Sequence, residues 1–395
     1  MTAHKRRSFS QANLAERHEG ELGGLLLEAL RVPPEEGYAG THAFHPYAGR
    51  FHPALPRTLL AGLLQPGQRV LDPFMGGGTT LVEALAARHP SAGSDLNPIA
   101  LVVARERTRM RSEAQAERVL ARCAAIADQV SELHKTRSAP RVQHPRMREL
   151  TPQYPPHLLA EMLQWIRLID EVHDSSVRET LRAVFSAGCV KFSNRRSDTS
   201  AAQSLTPYPK GAVSRFMRDK AGELTRAQVL LGQALLPDPP AHPLLRQEDA
   251  RLLPSFGWGE FDLVLTSPPY PGTYDYVEHH ALRMAWLNLD EAPLRGGEIG
   301  ARRDESQATW SADNRDVMVA LARVLKPGGL LCVVIGDWLV EGHPVDGGAQ
   351  LLRAATDKGW RLRSRASIRR EVHSHKEQRA YRKHGKWEHL LALGR

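Results

Sequence analysis

The sequence has no long apolar run and few cysteine or aromatic residues. No stretch approaches the roughly 20 apolar residues that cross a bilayer, so we expect no membrane-spanning helix. The three cysteines of the 395-residue chain, Cys123, Cys189 and Cys332, are far apart and form no Cys-x-x-Cys pair. This spacing argues against a disulfide framework or a zinc site, and Cys332 lies in an apolar strand pattern typical of a core thiol.

Several targeting and repeat signals are also absent. Met1 to Gln11 is basic but has no apolar core, so it does not match a secretory signal, and we expect a cytoplasmic protein. No internal repeat is present. The formal net charge of +9 is compatible with an ordinary solvated basic surface. It also favours, weakly, a polyanionic partner such as nucleic acid.

A glycine-rich turn is the most informative local pattern. Val70 and Leu71 end an apolar run, the stretch Asp72-Pro73-Phe74-Met75-Gly76-Gly77-Gly78-Thr79-Thr80 follows, and a helical pattern begins at Leu81. Three glycines let the backbone turn sharply and place no side chain between it and a ligand. No lysine follows them, which argues against a phosphate-binding Walker A loop. The Asp72 carboxylate can only accept hydrogen bonds, which suits an amine or a hydroxyl.

The three glycines alone could form an ordinary tight turn, but two later segments favour a ligand-binding turn. The stretch Gly93-Ser94-Asp95 ends a second short strand, and an acid about 20 positions after the glycine turn can bind a ribose hydroxyl pair. A third apolar strand, 261–266, runs into Ser267-Pro268-Pro269-Tyr270. Ligands of open α/β sheets bind beyond the carboxyl ends of strands, so these residues are expected to share one cleft.

Together, Asp-Pro-Phe-x-Gly-x-Gly-Thr-Thr and Thr-Ser-Pro-Pro-Tyr resemble the S-adenosylmethionine-dependent DNA amino-methyltransferases of the N4-cytosine type. Members acting on N6 of adenine usually carry Asp or Asn at the position of Ser267. The resemblance covers about residues 41–100 and 246–395. It implies an α/β, Rossmann-like class I methyltransferase fold with a mostly parallel seven-stranded sheet. It also implies S-adenosyl-L-methionine as cofactor and duplex DNA as partner.

The resemblance assigns the cofactor-binding residues. The stretch ahead of the glycine turn resembles the segment that closes over the methionine end, where Arg50 is expected to pair with the cofactor carboxylate. Asp249 resembles the acid that accepts the adenine amine, although a simple turn acid is nearly as good an explanation. The expected set is Phe44, Tyr47, Arg50, Phe51, Asp72, Pro73, Phe74, Gly76, Gly78, Thr79, Thr80, Asp95, Leu96, Asn97, Asp249, Ala250 and Thr266. The histidines ahead of the glycine turn, His42, His45 and His52, do not have the spacing of a zinc site, and no metal is expected.

The expected catalytic residues are Ser267, Pro268, Pro269 and Tyr270. An amine on a base is a poor nucleophile because its lone pair is delocalised into the ring. The Ser267 hydroxyl and the Pro268 carbonyl can accept its protons, and Tyr270 can stack on the base. An amine inside duplex DNA cannot reach the cofactor, so base flipping is implied. C5-cytosine chemistry would need a cysteine nucleophile, usually in Pro-Cys, and no Pro-Cys occurs.

The sequence divides into three expected parts. Residues 1–40 are an N-terminal arm with a short helix, of which 1–20 are expected to be mobile. Residues 41–103 and 244–395 form the methyltransferase domain, and 104–243 form a mainly helical insertion that is a candidate DNA-recognition region by position alone. Exposed cations in the insertion and near the last strand are candidate phosphate contacts: Arg195, Arg196, Lys210, Arg215, Arg369, Arg370, Lys376, Arg379, Arg382 and Lys383.

Two rival functions stay open. The first is amino-methylation of N6 of adenine in DNA, or of an RNA base, against which only Ser267 argues. The second is a non-catalytic protein that binds S-adenosylmethionine and nucleic acid. The sequence leaves open a cognate restriction endonuclease, the target DNA sequence and the oligomeric state.

Overall fold

The glycine turn follows a short, fully buried strand near the centre of a mixed sheet. The computed structural model describes residues 15–32, 38–136, 142–197, 200–203, 207–271, 275–300, 306–372 and 375–395. The strands are β1 Glu16–Gly20, β2 Val70–Asp72, β3 Ser91–Ser94, β4 Arg195–Ser197, β5 Ser200–Gln203, β6 Leu244–Arg246, β7 Phe261–Thr266, β8 Leu325–Gly336, β9 Trp338–Val340, β10 His343–Val345, β11 Arg361–Arg370 and β12 Lys386–Gly394.

The helices begin with a short one before the glycine turn and are most frequent in the insertion. They are α1 Gly23–Leu30, α2 Ala54–Leu63, α3 Thr79–Ala86, α4 Pro98–Arg107, α5 Glu113–Lys135, α6 Met147–Leu150, α7 Pro156–Asp170, α8 Ser175–Gly188, α9 Ala212–Ala234, α10 Tyr276–Leu287, α11 Ala292–Gly297, α12 Gln307–Val324, α13 Gly347–Thr356 and α14 His375–Ala380, with 3-10 helices at Gly40–Ala43 and Thr151–Gln153.

The main sheet has the strand order β1-β11-β12-β8-β7-β2-β3-β6. Its strands from β6 to β8 pair in parallel, whereas β12, β11 and β1 pair antiparallel. The chain runs from β2 outward to β3 and β6, then returns to β7 on the other side of β2. This reversal is a topological switch point, where α/β sheets bind ligands. The expected α/β, Rossmann-like fold is confirmed.

The predicted count of seven strands is wrong, because eight are present. The additional strand is β1, which lies within the segment expected to be a mobile arm. It pairs with the edge strand β11 from Glu16↔Ile368 to Gly20↔Ser364. The Arg17 guanidinium lies 3.7 Å from the centre of the Trp387 ring. Residues 1–14 of the predicted arm are outside the described residues.

Two apolar layers cover the sheet because successive strand residues point to opposite faces. In β7, Leu263 and Leu265 pack with α1 and α2, whereas Val264 packs with α12 and α13. Cys332 packs with the first group, is fully buried and forms no disulfide, as expected of a core thiol. None of the helices in the described ranges is long and apolar enough to cross a membrane.

The segment 104–243 is mainly helical, as the sequence predicts, and adds the small β4–β5 hairpin. Its helices share one apolar cluster with α4, α10 and residues beside the glycine turn. Three helices have little sequence signal. The segment 290–312 contains α11 and the start of α12, and the basic segment 361–386 contains α14 in the connection between the antiparallel strands β11 and β12. These helical segments lack the long apolar periodicity that makes a helix visible in sequence.

Candidate active site

The carboxyl ends of β2 and β7 meet at Asp72. Its Oδ1 accepts a hydrogen bond of 2.7 Å from Thr266 Oγ1, and its Oδ2 accepts one of 2.7 Å from Thr80 Oγ1. The Phe74 backbone N–H donates to the same carboxylate at 3.2 Å. Burial raises the pKa of Asp72 to about 6 against the effect of these three donors. Asp72 therefore ties the glycine turn to the strand that carries the Ser-Pro-Pro-Tyr loop.

A pocket opens at this junction, with about 790 Å³ of empty space that includes its opening to solvent. Both loops line it, so the expected shared cleft is present. The predicted residues that line it are Tyr47, Arg50, Phe51, Asp72, Pro73, Phe74, Gly76, Thr79, Asp95, Leu96, Asn97, Asp249, Ala250, Ser267 and Pro269. The predicted residues that do not line it are Phe44, Gly78, Thr80, Thr266, Pro268 and Tyr270.

The glycines are required by the protein's own packing as well as by an open pocket. Gly76 and Gly78 have φ angles of +47° and +77°, which favour glycine. A Cβ at Gly77 would collide with the Arg107 guanidinium, and one at Gly78 would lie 2.9 Å from Ala104 Cβ. Gly76 and Gly78 were expected to serve the ligand, and the packing of Gly77 and Gly78 against α4 was not predicted.

Arg107 and Tyr47 join the glycine turn to the segment that precedes it. The fully buried Arg107 donates to Gly77 O at 2.9 Å and to His45 O at 2.7 Å. Tyr47 packs beside Gly76, and its hydroxyl accepts a hydrogen bond of 3.1 Å from Asn97 Nδ2. Burial holds the pKa of Tyr47 well above its usual range, so the hydroxyl stays protonated.

Asp95 lies at the end of β3, where the sequence predicts an acid for a ribose. Its Oδ2 accepts from Gly76 N at 2.9 Å, and its Oδ1 accepts from Asn97 N at 2.8 Å. Burial raises the pKa of Asp95 to about 6, and the charge of Asp72 contributes in the same direction. Each carboxylate oxygen has a second lone pair, so Asp95 can still accept from ligand hydroxyls.

The segment 42–52 places Arg50 and Phe51 in the pocket wall, whereas Phe44 lies in the core. Arg50 Nη1 donates to His42 O at 2.6 Å, and its guanidinium lies 3.8 Å from the centre of the Tyr38 ring. The histidines point to separate partners. His42 Nε2 lies 2.7 Å from Glu83 Oε1, and His45 Nε2 lies 3.1 Å from Ser186 Oγ.

Asp249 lines the pocket, but its carboxylate is already bound by an arginine. The Arg251 guanidinium contacts both oxygens at 2.6–3.0 Å and also contacts Asp313 at 2.7 Å. A ligand amine would therefore share Asp249 with this ion pair. The structure shows nearby Glu248 as a further carboxylate in the wall.

The far wall of the pocket comes from residues that the sequence did not indicate. Tyr276 and Glu298 both line it, and the Tyr276 backbone N–H donates to Glu298 Oε1 at 2.7 Å. The Tyr276 ring stacks on Tyr47 with 6.3 Å between centroids. An aromatic residue soon after the Ser-Pro-Pro-Tyr loop was a usable signal for Tyr276. Nothing in the charged stretch around Glu298 distinguishes it. The remaining unpredicted lining residues are Gly49, Met75, Gly77, Glu248, Leu294, Gly297 and Ile299.

The Ser-Pro-Pro-Tyr loop differs from the rest of the wall in its unused polar atoms. Within the described ranges, Ser267 Oγ and Pro268 O have no hydrogen-bond partner, whereas Pro269 O accepts from Trp310 Nε1 at 2.9 Å. The Tyr270 ring stacks on Trp338, with centroids 6.0 Å apart and planes at 27°. Tyr270 thus supports the loop from outside the pocket.

The pocket fits S-adenosylmethionine. Asp72, Asp95 and Glu298 place carboxylates around it, which suits a cationic sulfonium and an ammonium group. Arg50 supplies a cation for a carboxylate. The glycine turn adds a side-chain-free stretch of backbone, and Tyr47 and Phe51 add aromatic surface.

The candidate DNA-binding residues fall into two groups. Strand β11 ends, and β12 begins, at the carboxyl edge of the sheet (Arg370↔Lys386), so the basic segment lies on the pocket side. Arg370 is paired with Glu388 at 2.9 Å, whereas Arg195 donates to the neutral carbonyl oxygen of Glu278 at 3.3 Å, so of these two only the charge of Arg370 is compensated by a carboxylate. The other side chains described are exposed: Arg196, Lys210, Arg215, Arg369, Arg379, Arg382 and Lys383. Lys376 lies on α14, and its side chain is outside the described set.

The chain is similar to several known methyltransferases. No family model matches the sequence. Over 256 residues it is 23% identical to Type II methyltransferase M.BsoBI of Geobacillus stearothermophilus, covering 59% of this chain and 49% of that one. It is 22% identical over 264 residues to Type II methyltransferase M.MvaI of Kocuria varians, covering 63% and 58%. The chain thus spans about half the length of the curated relatives it matches.

A shorter stretch is more similar, and the solved structures are more distant. Over 63 residues the chain is 40% identical to Type II methyltransferase M.MjaII of Methanocaldococcus jannaschii, covering 16% and 12% of the two chains. A TehB-like SAM-dependent methyltransferase from Corynebacterium glutamicum overlaps with a TM-score of 0.30 at 8% identity, covering 86% of each chain.

Proposed function

We propose that this protein is a DNA methyltransferase that transfers a methyl group from S-adenosyl-L-methionine to the N4 amine of cytosine in duplex DNA. The observation that carries the proposal is the shared pocket. Gly76 and Asp95, expected to hold the cofactor, and Ser267, expected to hold the base, line the same cavity. The likeness to proteins named Type II methyltransferases supports it.

The proposed cofactor contacts follow from the wall of the pocket. Asp95 accepts hydrogen bonds from the ribose hydroxyls, and Arg50 pairs with the methionine carboxylate. Buried Asp72 supplies negative charge beside the glycine turn while it holds Thr80 and Thr266 in place. When bound, S-adenosylmethionine supplies the electrophilic methyl group.

The Ser-Pro-Pro-Tyr loop is proposed to prepare the amine. Ser267 Oγ, in the pocket wall, and Pro268 O, from the adjoining buried residue, are unused acceptors. Two acceptors on the amine protons favour a pyramidal nitrogen with a localised lone pair. Proline fixes φ near −65°, which limits how far the Pro268 carbonyl can turn. Positioning of the two reactants, rather than a strong base, then supplies most of the acceleration.

The assignment of cytosine rests on Ser267. A hydroxyl both donates and accepts, so it can also face the ring nitrogen next to the amine of cytosine. Members acting on adenine N6 usually carry Asp or Asn at this position, and an ionised Asp can only accept. Because the pocket lies beyond the strand ends, a base in a duplex reaches it only after extrusion, so base flipping is part of the proposal.

The direct test is incubation with labelled cofactor and mixed-sequence duplex DNA, followed by nucleoside mass analysis. The expected product is N4-methylcytosine. N6-methyladenine would overturn the assignment of the base, and label in added RNA alone would overturn the assignment of the substrate. Cofactor binding by calorimetry without any methyl transfer would support the non-catalytic alternative. A role beside a restriction endonuclease would appear as protection of the methylated DNA from cleavage.

A further inference from the structure

Trp310 makes a hydrogen bond to the Ser-Pro-Pro-Tyr loop from a distant part of the chain. It lies on α12, is fully buried, and donates its indole N–H to Pro269 O at 2.9 Å. Its ring also packs against Trp338, with 5.0 Å between centroids, and Trp338 in turn stacks on Tyr270. Two successive loop residues are therefore held by one aromatic group.

A glycine beside this hydrogen bond shows how closely the loop is enclosed. Gly300 has a φ angle of +74°, and a Cβ there would lie 3.0 Å from Pro269 O and 3.0 Å from Trp310 Cδ1. The segment after α11 thus packs against the same carbonyl that Trp310 binds. Little space remains for the Pro269–Tyr270 peptide plane to rotate.

Trp338 is held in place by the hydrogen bonds of its neighbour Asp337. Asp337, the preceding residue, accepts from Gly347 N at 3.1 Å and from Trp387 N at 2.9 Å. His389 Nε2 lies 3.0 Å from Asp337 Oδ1. His389 Nδ1 faces the Arg365 guanidinium at 3.0 Å, which can only donate, so the imidazole proton is on Nε2 and points at Asp337. The aromatic support is therefore anchored to β12 and α13.

We infer that Trp310 is a positioning residue that directs the acceptors of the Ser-Pro-Pro-Tyr loop. Ser267 is fixed at the end of β7, and proline rings fix φ at 268 and 269. With the Pro269 carbonyl held by Trp310, both ends of this short segment are anchored, and the Pro268 carbonyl has one orientation. Pro268 O and Ser267 Oγ are then the acceptors left for a base amine, a last step that rests on the proposed function.

The test compares Trp310→Phe with Trp360→Phe. Trp360 is a matched control because it is 1% exposed, belongs to the same apolar cluster and donates its indole N–H to Met318 O at 3.1 Å. Both variants lose one buried hydrogen bond to a backbone carbonyl. Only Trp310→Phe is expected to lower kcat for DNA methylation, by about 10²-fold, because small misplacements of reacting groups have effects of that size. The cofactor Kd is expected to stay within about twofold of the unmutated protein.

A second measurement does not depend on activity. Hydrogen exchange of the backbone amides of Ser267 and Tyr270 is expected to accelerate at least about tenfold in Trp310→Phe and to be unchanged in Trp360→Phe. Trp338→Phe, which leaves the Pro269 carbonyl bonded, is expected to accelerate exchange less. Equal exchange of the Ser267 and Tyr270 amides in Trp310→Phe, Trp338→Phe and Trp360→Phe would overturn the inference. If the unmutated protein transfers no methyl group, the proposed function fails, and the exchange data still decide the role of Trp310.

Discussion

The glycine turn and the Ser-Pro-Pro-Tyr loop face the same pocket but use their polar groups differently. In the glycine turn, Gly76 N donates to Asp95 and Gly77 O accepts from Arg107. In the loop, Ser267 Oγ and Pro268 O have no partner among the described residues. The polar backbone groups of the glycine turn named here are bonded within the protein, whereas the Ser-Pro-Pro-Tyr loop keeps two acceptors for a ligand.

This difference indicates which residues shape the pocket and which ones act on a ligand. Ser267 is half-buried, so water can bind its hydroxyl until a substrate supplies the partner. Groups that already have protein partners, such as the two Nη atoms of Arg107 on Gly77 O and His45 O, hold the backbone in place. Changing a residue of the first kind should affect chemistry, whereas changing one of the second kind should affect folding or cofactor binding.

The largest effect is expected from Ser267→Ala. Removing an unused hydroxyl at the reacting centre should lower kcat by about 10²- to 10³-fold, the range found when one oriented hydrogen-bonding group is lost. The cofactor Kd and the Tm should change little, because no described residue depends on that hydroxyl. Steady-state kinetics with calorimetric Kd measurements check this.

Ser255→Ala is the matched control for the loop prediction, since Ser255 is exposed and outside the pocket wall. It should behave as the unmutated protein in all three measurements. A parallel loss of cofactor affinity and kcat in Ser267→Ala would mean that Ser267 shapes the pocket, and the contrast between the two loops would disappear.

The next effect is expected from Asp95→Ala. This change removes two internal hydrogen bonds and the proposed ribose acceptor, so the cofactor Kd should rise by about 10- to 100-fold, as for a lost hydrogen bond to a charged group. The kcat at saturating cofactor should fall much less. Asp357→Ala, an exposed carboxylate near the opposite edge of the sheet, is the control. Unchanged affinity in Asp95→Ala would remove the assignment.

Cofactor affinity is also expected to depend on pH. Burial raises the pKa of Asp72 and of Asp95 to about 6, so both carboxylates take up protons as pH falls through that value. Because a cationic ligand favours the ionised forms, affinity should fall by about tenfold per group between pH 8 and pH 5. Calorimetry across this range checks it, and a flat profile would contradict it.

The same pKa values fix the sign of the stability change. A carboxyl whose folded pKa lies above its unfolded value binds more protons when folded, so it makes the unliganded protein less stable as pH rises from about 4 to 6. Each ionised carboxylate therefore lowers the free energy of unfolding of the unliganded protein, and a bound cation offsets this loss. The rise in Tm on adding S-adenosylmethionine should therefore be larger at pH 8 than at pH 5.

The parts of the site that could be predicted from the sequence are those that follow strand ends. Asp72, Asp95 and Ser267 each sit directly after an apolar strand, and parallel strands bring their carboxyl ends together. The far wall could not be predicted in this way. Glu298 and Trp310 come from α11, α12 and the loop between them, where side-chain direction depends on packing against a loop about 30 to 40 positions earlier in the chain.

The N-terminal strand shows the same limit in the fold. Glu16–Gly20 is polar and exposed at every position, so it carries no alternating pattern. It is a strand because β11 offers an unpaired edge.

The register of β8 is a further feature that the sequence does not reveal. Leu325 pairs with Phe261 but Leu330 pairs with Leu263, so the Lys-Pro-Gly-Gly stretch 326–329 forms an irregularity within one strand.

The smallest effect is expected in the basic segment 361–386, where a cation without an ion-pair partner can be compared with a paired one. Arg382 is exposed and has no ion-pair partner among the described residues, whereas Arg370 is bound to Glu388. Arg382→Gln should weaken duplex binding a few-fold at any sequence and lower the salt-dependence slope by about 1, as for one lost phosphate contact. Arg370→Gln should leave the slope unchanged and lower the Tm instead, because it leaves Glu388 without its partner. Binding titrations at several salt concentrations measure both slopes, and equal slopes for the two variants would show that exposure of a cation on this edge does not decide its contact with DNA.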